Sequence, residues 1–414
     1  LSAVESGDLN ARIVIAGAGH AGGSVAAFLR QYGHTGPIVL IGDEPLLPYQ
    51  RPPLSKAWLK GEADADSLAL KPADWYAEAG VSLRLGGTVV KIDGEARLVH
   101  LASGETAAYD ALVLATGARA RTLDIPGADL EGVLSLRTAA DAEQLKSALG
   151  PDRRLAVVGG GYVGLEAAAS ARALGSHALI IERESRVLAR VACEVLSTFF
   201  QDYHTARGVG FELNAGVEAF EGADGRVTGV RLADGRTVAC DVALVGVGAI
   251  PNDDLAREAG LDCANGIVVD GQARTSDARI FAIGDVSNRP LALYDRQVRL
   301  ESVPNALEQA KQVACAIVGR AGPVPEVPWF WSDQYDLKLQ IAGLPYDADR
   351  IVVRGDIAAA KFAVFHLKGA LLQAVEAVNA PPEFMAGKQL IAKRTPVSVE
   401  KLVDPTVSMK DVAA

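Results

Sequence analysis

Sulfur is scarce in this chain, whose 414 residues include four cysteines and two methionines. Cys193, Cys240, Cys263 and Cys315 stand far apart with no C-x-x-C or other close pair, which excludes a disulfide-stapled scaffold and fits a reducing compartment. They read as four buried small hydrophobes. Histidine is equally thin, six residues with no H-E-x-x-H and no Cys/His cluster, so no structural or catalytic metal is expected. His20 falls in a glycine loop and reads as a tolerated loop residue. Basic charge is short as well, and the net charge of −10 argues against nucleic acid and anionic membrane as partners. No apolar run reaches the roughly 18 residues that span a bilayer. The opening Leu1 to Asn10 lacks the basic-then-apolar pattern of an export signal, so the expected location is cytoplasmic.

What is abundant is glycine, 42 residues, against a background that is 49% hydrophobic. That mix suits a soluble α/β protein rich in tight turns, and the length suits two or three domains of about 100 to 150 residues. Two segments repeat the same punctuation in the same order. In the first, Arg12 to Ala16 runs into Gly17-Ala-Gly19-His-Ala-Gly22, and Asp110-Ala-Leu-Val-Leu-Ala-Thr116-Gly117 closes the unit. In the second, Leu155 to Val158 runs into Gly159-Gly-Gly161-Tyr162-Val163-Gly164, and Asp241 to Gly248 closes it. Val25, Phe28, Leu29 and Tyr32 recur at helical spacing, Leu165 to Leu174 does the same with small residues, and Ile38 to Ile41 and Ala178 to Ile181 read as buried parallel strands. Both segments are therefore βαβ units. A further strand, Ala273 to Ile283, ends in Gly284-Asp285 and belongs with the first unit, which the second interrupts. The expected domains are 1–120 with 248–325, then 121–247, then an α+β domain over 326–414.

Each glycine loop has a physical task. The first glycine makes the tight turn, the second lets the backbone approach a pyrophosphate, and the third lets helix and strand come close. The helix N-terminus adds amide donors and partial positive charge. An acid about 20 residues on reads the ribose hydroxyls; Asp43 follows Gly17 by 26 residues and Glu182 follows Gly159 by 23. A carboxylate there repels a 2′-phosphate, so Glu182 favours NADH over NADPH, although Arg183 is adjacent. Arg190 and Gly248 join the second loop as NAD-site candidates. Two dinucleotide sites, one split around the other, follow the logic of a flavoprotein that keeps FAD in one and exchanges NAD(H) in the other.

The segment Leu47-Pro-Tyr-Gln-Arg51-Pro-Pro-Leu-Ser-Lys56 resembles the oxygenase-coupled NADH-dependent ferredoxin reductases. The likeness continues through Gly159-Gly-Gly-Tyr-Val-Gly-Leu-Glu166, Ala282-Ile-Gly284-Asp285, Glu301 to Gln309 and Pro328-Trp-Phe-Trp331-Ser-Asp-Gln334, nearly the whole chain. It implies a glutathione-reductase-like α/β architecture of two Rossmann-type domains plus a C-terminal α+β domain. It also implies FAD contacts from Ala21, Asp43, Lys56, Val90, Arg137, Asp285 and Val303. Arg51, Thr116, Gly117, Gly284 and Trp331, from the same motifs, complete the FAD candidates. Lys56 and Arg137 are cations suited to a flavin whose reduced form is anionic. Lys56 and Glu166 are the candidate catalytic residues, with Glu166 in the first turn of the second helix and expected to face Lys56.

Disulfide reductases of this fold place a cysteine pair after the first βαβ unit, and NADH peroxidases and oxidases place a single redox cysteine there. The stretch from Asp43 to Lys60 has none. Electrons are therefore expected to leave the flavin directly for a [2Fe–2S] ferredoxin that feeds a cytochrome P450 or a ring-hydroxylating dioxygenase. Lys311, Lys388 and Lys410 are the expected docking cations. Two other readings share the nucleotide motifs: an NADH oxidase, and an NADH-sensing flavoprotein similar to apoptosis-inducing factor.

Overall fold

A computed structural model describes residues 7–414. Residues 1–6, on which much of the export-signal reading falls, lie outside that range. The described residues form two compact units, one of residues 7–50, 65–119 and 250–330, the other of residues 51–64, 120–249 and 331–414. The segment 51–64, which the sequence reading kept with the outer domain, thus groups with the inner nucleotide domain and the C-terminal region.

In the first unit five parallel strands lie in the order Ile280–Ala282, Ala111–Leu114, Ile13–Ala16, Ile38–Gly42 and Val81–Leu85. Every residue of Ile13–Ala16 and of Ala111–Leu114 is buried, as strands covered on both faces require. Helix His20–Gln31 covers one face with Val25 and Leu29 and packs on the long helix Val303–Val318. The later strand does return to this sheet, but only Ile280–Ala282 is extended in it. Upstream the chain turns instead: Ala273 has a left-handed φ of 62°, and the Thr275 hydroxyl accepts from Asp277 N. Turn chemistry in Thr-Ser-Asp makes the strand begin later than the expected Ala273 to Ile283.

The second unit repeats the plan. Its parallel sheet runs Val209–Glu212, His177–Ile181, Arg154–Val158, Val242–Val245 and Val133–Leu134. The duplication reaches individual side chains. At the start of the first strand Arg12 grips Asp110 through its backbone amide, Nε and Nη2 at 2.8, 2.9 and 2.7 Å. Arg154 grips Asp241 through the same three groups at 2.9, 3.1 and 2.8 Å. Each guanidinium holds its partner carboxyl down at about 2. The C-terminal region adds a five-stranded sheet ordered Trp329–Gln334, Leu337–Gly343, Leu371–Val378, Lys361–Lys368 and Arg350–Asp356, flanked by helix Pro381–Lys393. Among the described residues no helix is long and apolar enough to cross a membrane.

Candidate functional site

Both glycine loops leave a central parallel strand and enter a helix, and both are locked by one bond: Gly17 N donates to Ile41 O and Gly159 N to Ile181 O, each at 2.8 Å. A Cβ added at Gly22 would stand 1.9 Å from Gly17 O, and one at Gly164 would stand 2.2 Å from Gly159 O. These third glycines are therefore demanded by the loop itself. Gly161 differs, because a Cβ there would meet no protein atom within 4 Å. Glycine at that position preserves room for a group other than protein. The helix caps Gly19 and Gly161 make no side-chain capping bond, so first-turn amides remain directed at whatever occupies the loop. The donor set fits a dinucleotide pyrophosphate in both units, and the open space at Gly161 adds to that fit in the second.

The acids differ between the repeats. Glu182 directly follows the strand that ends at Ile181; its Oε2 accepts from Gly160 N at 2.7 Å and its Oε1 from Glu184 N at 2.9 Å. The matching position in the first unit is Gly42, where a Cβ would come within 2.4 Å of Ala18 Cβ. Asp43 is thus one residue later, and exposed. Arg183 points to solvent and pairs with Glu184 at 3.1 Å. Arg190 is exposed, with Nη2 3.6 Å from the place a Gly248 Cβ would occupy, so these two NAD-site candidates adjoin. Tyr162 opens the second helix, its hydroxyl donating to Val191 O at 3.3 Å, and Val163 is 45% exposed beside it.

In the first unit three turns meet at the C-terminal ends of the strands. A Cβ on Gly17 would strike Ala115 O at 2.1 Å, and one on Gly284 would lie 3.1 Å from Ala21 Cβ. Thr116 donates through its hydroxyl to Asn252 O at 2.8 Å, and Asn252 N donates to Gly117 O at 2.9 Å. Asp285 lies in a short 3-10 turn, its side chain partly exposed, and it works against the burial that lowers the pKa of His20. Val303 is the first residue of its helix, behind the capping Ser302. Val90 is skipped by the pairing register of its strand, which frees its backbone from the ladder. Gln309, fully buried, was not singled out from sequence, yet its Oε1 accepts from Gly284 N at 2.8 Å and from the Ser287 hydroxyl at 2.9 Å, fixing the Gly284-Asp285 turn.

Arg51, Lys56, Arg137 and Trp331 belong to the second unit. There Arg51 Nη1 donates to Arg137 O at 2.7 Å, and Asp141 Oδ2 accepts from Arg137 N at 2.9 Å. Lys56 Nζ donates to Glu166 Oε2 at 2.7 Å. Glu166 lies beyond the first turn of the helix that starts at Tyr162, which corrects its expected placement and removes helix-dipole stabilisation as the reason for an acid there. Three side chains hold it: Lys56 and the Ser55 hydroxyl (2.5 Å) on one oxygen, the Ser332 hydroxyl (2.6 Å) on the other. The chain continues inward, Gln334 Nε2 donating to Ser332 Oγ at 3.0 Å and Gln334 Oε1 lying 2.8 Å from His204 Nε2. That polarity assigns the proton of His204 to Nε2, and burial pushes its pKa down to about 4. Ser55 and Ser332 were passed over in the sequence although each adjoins a residue that was named, Lys56 and Trp331. Trp331 is half-buried on its strand.

The docking candidates divide between the units. Lys311 lies over the Phe28 ring, 5.6 Å from its centroid, in the first; half-buried Lys388 and exposed Lys410 lie in the second. All four cysteines are free. Cys193, Cys240 and Cys315 are buried and Cys263 only partly so; Cys193 also lies beside His366 and Glu376, a cluster hidden from a reading by chain spacing.

Residues 11–310 match the pyridine nucleotide-disulphide oxidoreductase family, and residues 329–413 match the reductase C-terminal family. The chain is 54% identical to the probable ferredoxin reductase CtmF of Castellaniella defragrans, across 98% of this chain and 99% of that one. It is 44% identical to rhodocoxin reductase of Rhodococcus erythropolis, across 96% and 93%. Among solved structures, the crystal structure of the covalent putidaredoxin reductase–putidaredoxin complex superposes with a TM-score of 0.95 at 42% identity, covering 97% of this chain and 98% of that one.

Proposed function

Since the chain belongs to the pyridine nucleotide-disulphide oxidoreductase family, we propose that it takes hydride from NADH onto FAD and passes the electrons singly to a [2Fe–2S] ferredoxin. It is an FAD-dependent NADH:ferredoxin oxidoreductase, and its ferredoxin supplies a cytochrome P450 or a ring-hydroxylating oxygenase. Bound FAD supplies the redox chemistry, accepting an electron pair and releasing single electrons. The close likeness to reductases named for ferredoxin and rhodocoxin, and to a reductase solved with putidaredoxin, supports this reading.

The observation that carries it is the Lys56–Glu166 pair. After the first βαβ unit the turn Pro52–Ser55 and Lys56 present a hydroxyl and an ammonium, both tied to Glu166, and no thiol. Electrons then have no sulfur relay and leave for a protein partner. Gly17, Gly19, Ala21 and Gly22 hold the FAD pyrophosphate, Asp43 its ribose and Asp285 its ribitol, with Val90, Thr116, Gly117, Gly284 and Val303 lining the same site. Arg51, Lys56, Arg137 and Trp331 serve the flavin end. Gly159, Gly161, Tyr162, Val163, Gly164, Arg190 and Gly248 receive NADH, and Glu182 selects its 2′-hydroxyl. Lys311, Lys388 and Lys410 meet an acidic ferredoxin, a local basic surface working against the global sign. The enzyme operates in the cytoplasm, as its free, well-separated cysteines suit.

The test is anaerobic: NADH reduces the purified yellow protein, and stoichiometric [2Fe–2S] ferredoxin is then added. Reoxidation of the flavin by the ferredoxin is the expected result. Equally fast NADH consumption with oxygen alone and no response to ferredoxin would instead identify an oxidase.

A further inference from the structure

One buried cluster in the second unit adjoins Tyr162, although none of its three residues is among the nucleotide-site candidates. Cys193 caps helix Glu194–Thr205, His366 lies on strand Lys361–Lys368, and Glu376 lies on the adjacent antiparallel strand Leu371–Val378. His366 pairs with Ala374, so Glu376, two residues on, faces the same side of the sheet. The three residues are 8%, 4% and 2% exposed. One sulfur, one ring nitrogen and one carboxylate oxygen lie within 4.8 Å of one another.

Hydrogen bonding serves Cys193 and Glu376 but leaves His366 Nε2 unserved. Glu376 accepts from Cys193 N at 3.1 and 3.3 Å, which fixes the carboxylate against the helix cap. His366 Nε2 lies 3.3 Å from Glu376 Oε2 yet makes no hydrogen bond, leaving a ring nitrogen buried and unsatisfied. The same separation suits shared coordination: with metal–nitrogen and metal–oxygen bonds of about 2.0 Å, the edge of a tetrahedron is about 3.3 Å. Burial beside Glu376 pushes the Cys193 thiol up to about 12, so it is protonated without an ion; a divalent cation that displaces this proton meets a thiolate and a carboxylate whose two charges balance its own. Sulfur, imidazole and carboxylate together suit zinc better than calcium or magnesium, which take oxygen ligands.

We propose that Cys193, His366 and Glu376 bind one zinc-class divalent cation, with water as the fourth ligand. Binding releases the thiol proton to solvent and forms metal–sulfur, metal–nitrogen and metal–oxygen bonds without any redox change. The ion ties the cap of helix Glu194–Thr205 to the C-terminal sheet within one compact unit. This site is independent of the hydride chemistry and stands on metal binding alone.

The test uses the FAD-loaded protein, treated with chelator, exchanged into metal-free buffer and titrated with Co2+ and then Zn2+. One Co2+ per chain is expected, with tetrahedral ligand-field absorption at wavelengths beyond the flavin bands, lost as Zn2+ displaces it. Zinc should also raise the melting temperature. Cys193→Ser and Glu376→Gln, each checked for flavin content, should weaken binding at least tenfold and abolish the thermal shift. Absence of stoichiometric binding by the unsubstituted protein at micromolar free metal overturns the site, whatever the variants do. Equal binding by a flavin-loaded Cys193→Ser protein overturns it as well.

Discussion

Lys56 Nζ and Glu166 Oε2 meet at 2.7 Å across 110 residues of chain, the lysine 19% and the glutamate 6% exposed at their side chains. A pair this buried is costly to break from one side. Glu166→Ala leaves the ammonium and two serine hydroxyls without their acceptor, and stability should fall by about 3 kcal/mol. Lys56→Ala leaves the buried Glu166 carboxylate with both serines but no countercharge, so stability should fall here too, by about 3 kcal/mol. The folded, flavin-loaded protein should be reduced by NADH at least tenfold more slowly, about 1.4 kcal/mol in the barrier. Stopped-flow flavin bleaching checks this. Normal flavin content together with a normal reduction rate would remove Lys56 from the reaction.

Glu182 is held from its own loop by Gly160 N and Glu184 N, leaving further lone pairs for two ribose hydroxyls. Glu182→Ala should raise the KM for NADH about tenfold, as loss of a hydrogen bond to a charged group implies, and should narrow the preference over NADPH. Steady-state kinetics with both nucleotides measure it. Unchanged selectivity would refute ribose reading by this residue.

The glycines of the second loop separate folding from binding. Gly164→Ala places a methyl 2.2 Å from Gly159 O, so the loop must open and melting temperature should drop. Gly161→Ala meets no protein atom within 4 Å, and its φ of −80° is open to alanine. That variant should fold normally and bind NADH at least tenfold more weakly. If Gly161→Ala binds NADH as the parent does, the pyrophosphate does not lie over this loop.

Most of the scaffold was legible because it is periodic or punctuated. The two βαβ units and the return of the strand ending at Ala282 follow from apolar runs and glycine spacing. The Arg12–Asp110 and Arg154–Asp241 clamps went unremarked although Arg12, Asp110 and Asp241 fall within the quoted repeat and Arg154 directly precedes it, because a repeat in sequence does not say which polar groups touch. Asp43 and Glu182 stand one position apart in register: the two connections differ in length, and only the backbone bonds to Ile41 and Ile181 show the offset. What stayed hidden are contacts at long separation, such as Ser332 to Glu166 at 166 residues and Cys193 to Glu376 at 183. No local period encodes these, since they depend on how one compact unit brings distant segments together.

His204 makes the second unit sensitive to acid. It is fully buried, with Nε2 on Gln334 and Nδ1 lacking a partner, and its pKa is pushed down to about 4 from an ordinary 6.5. Protonation therefore favours the unfolded chain. The stabilisation is complete above pH 6.5 and is lost as pH falls toward about 4, at up to about 1.4 kcal/mol per pH unit and about 3 kcal/mol in all. Urea unfolding of the flavin-loaded protein at several pH values across this window should show the decline, and His204→Gln, which keeps a donor for Gln334, should flatten it. Parallel curves for parent and variant would mean that His204 is not the group that titrates.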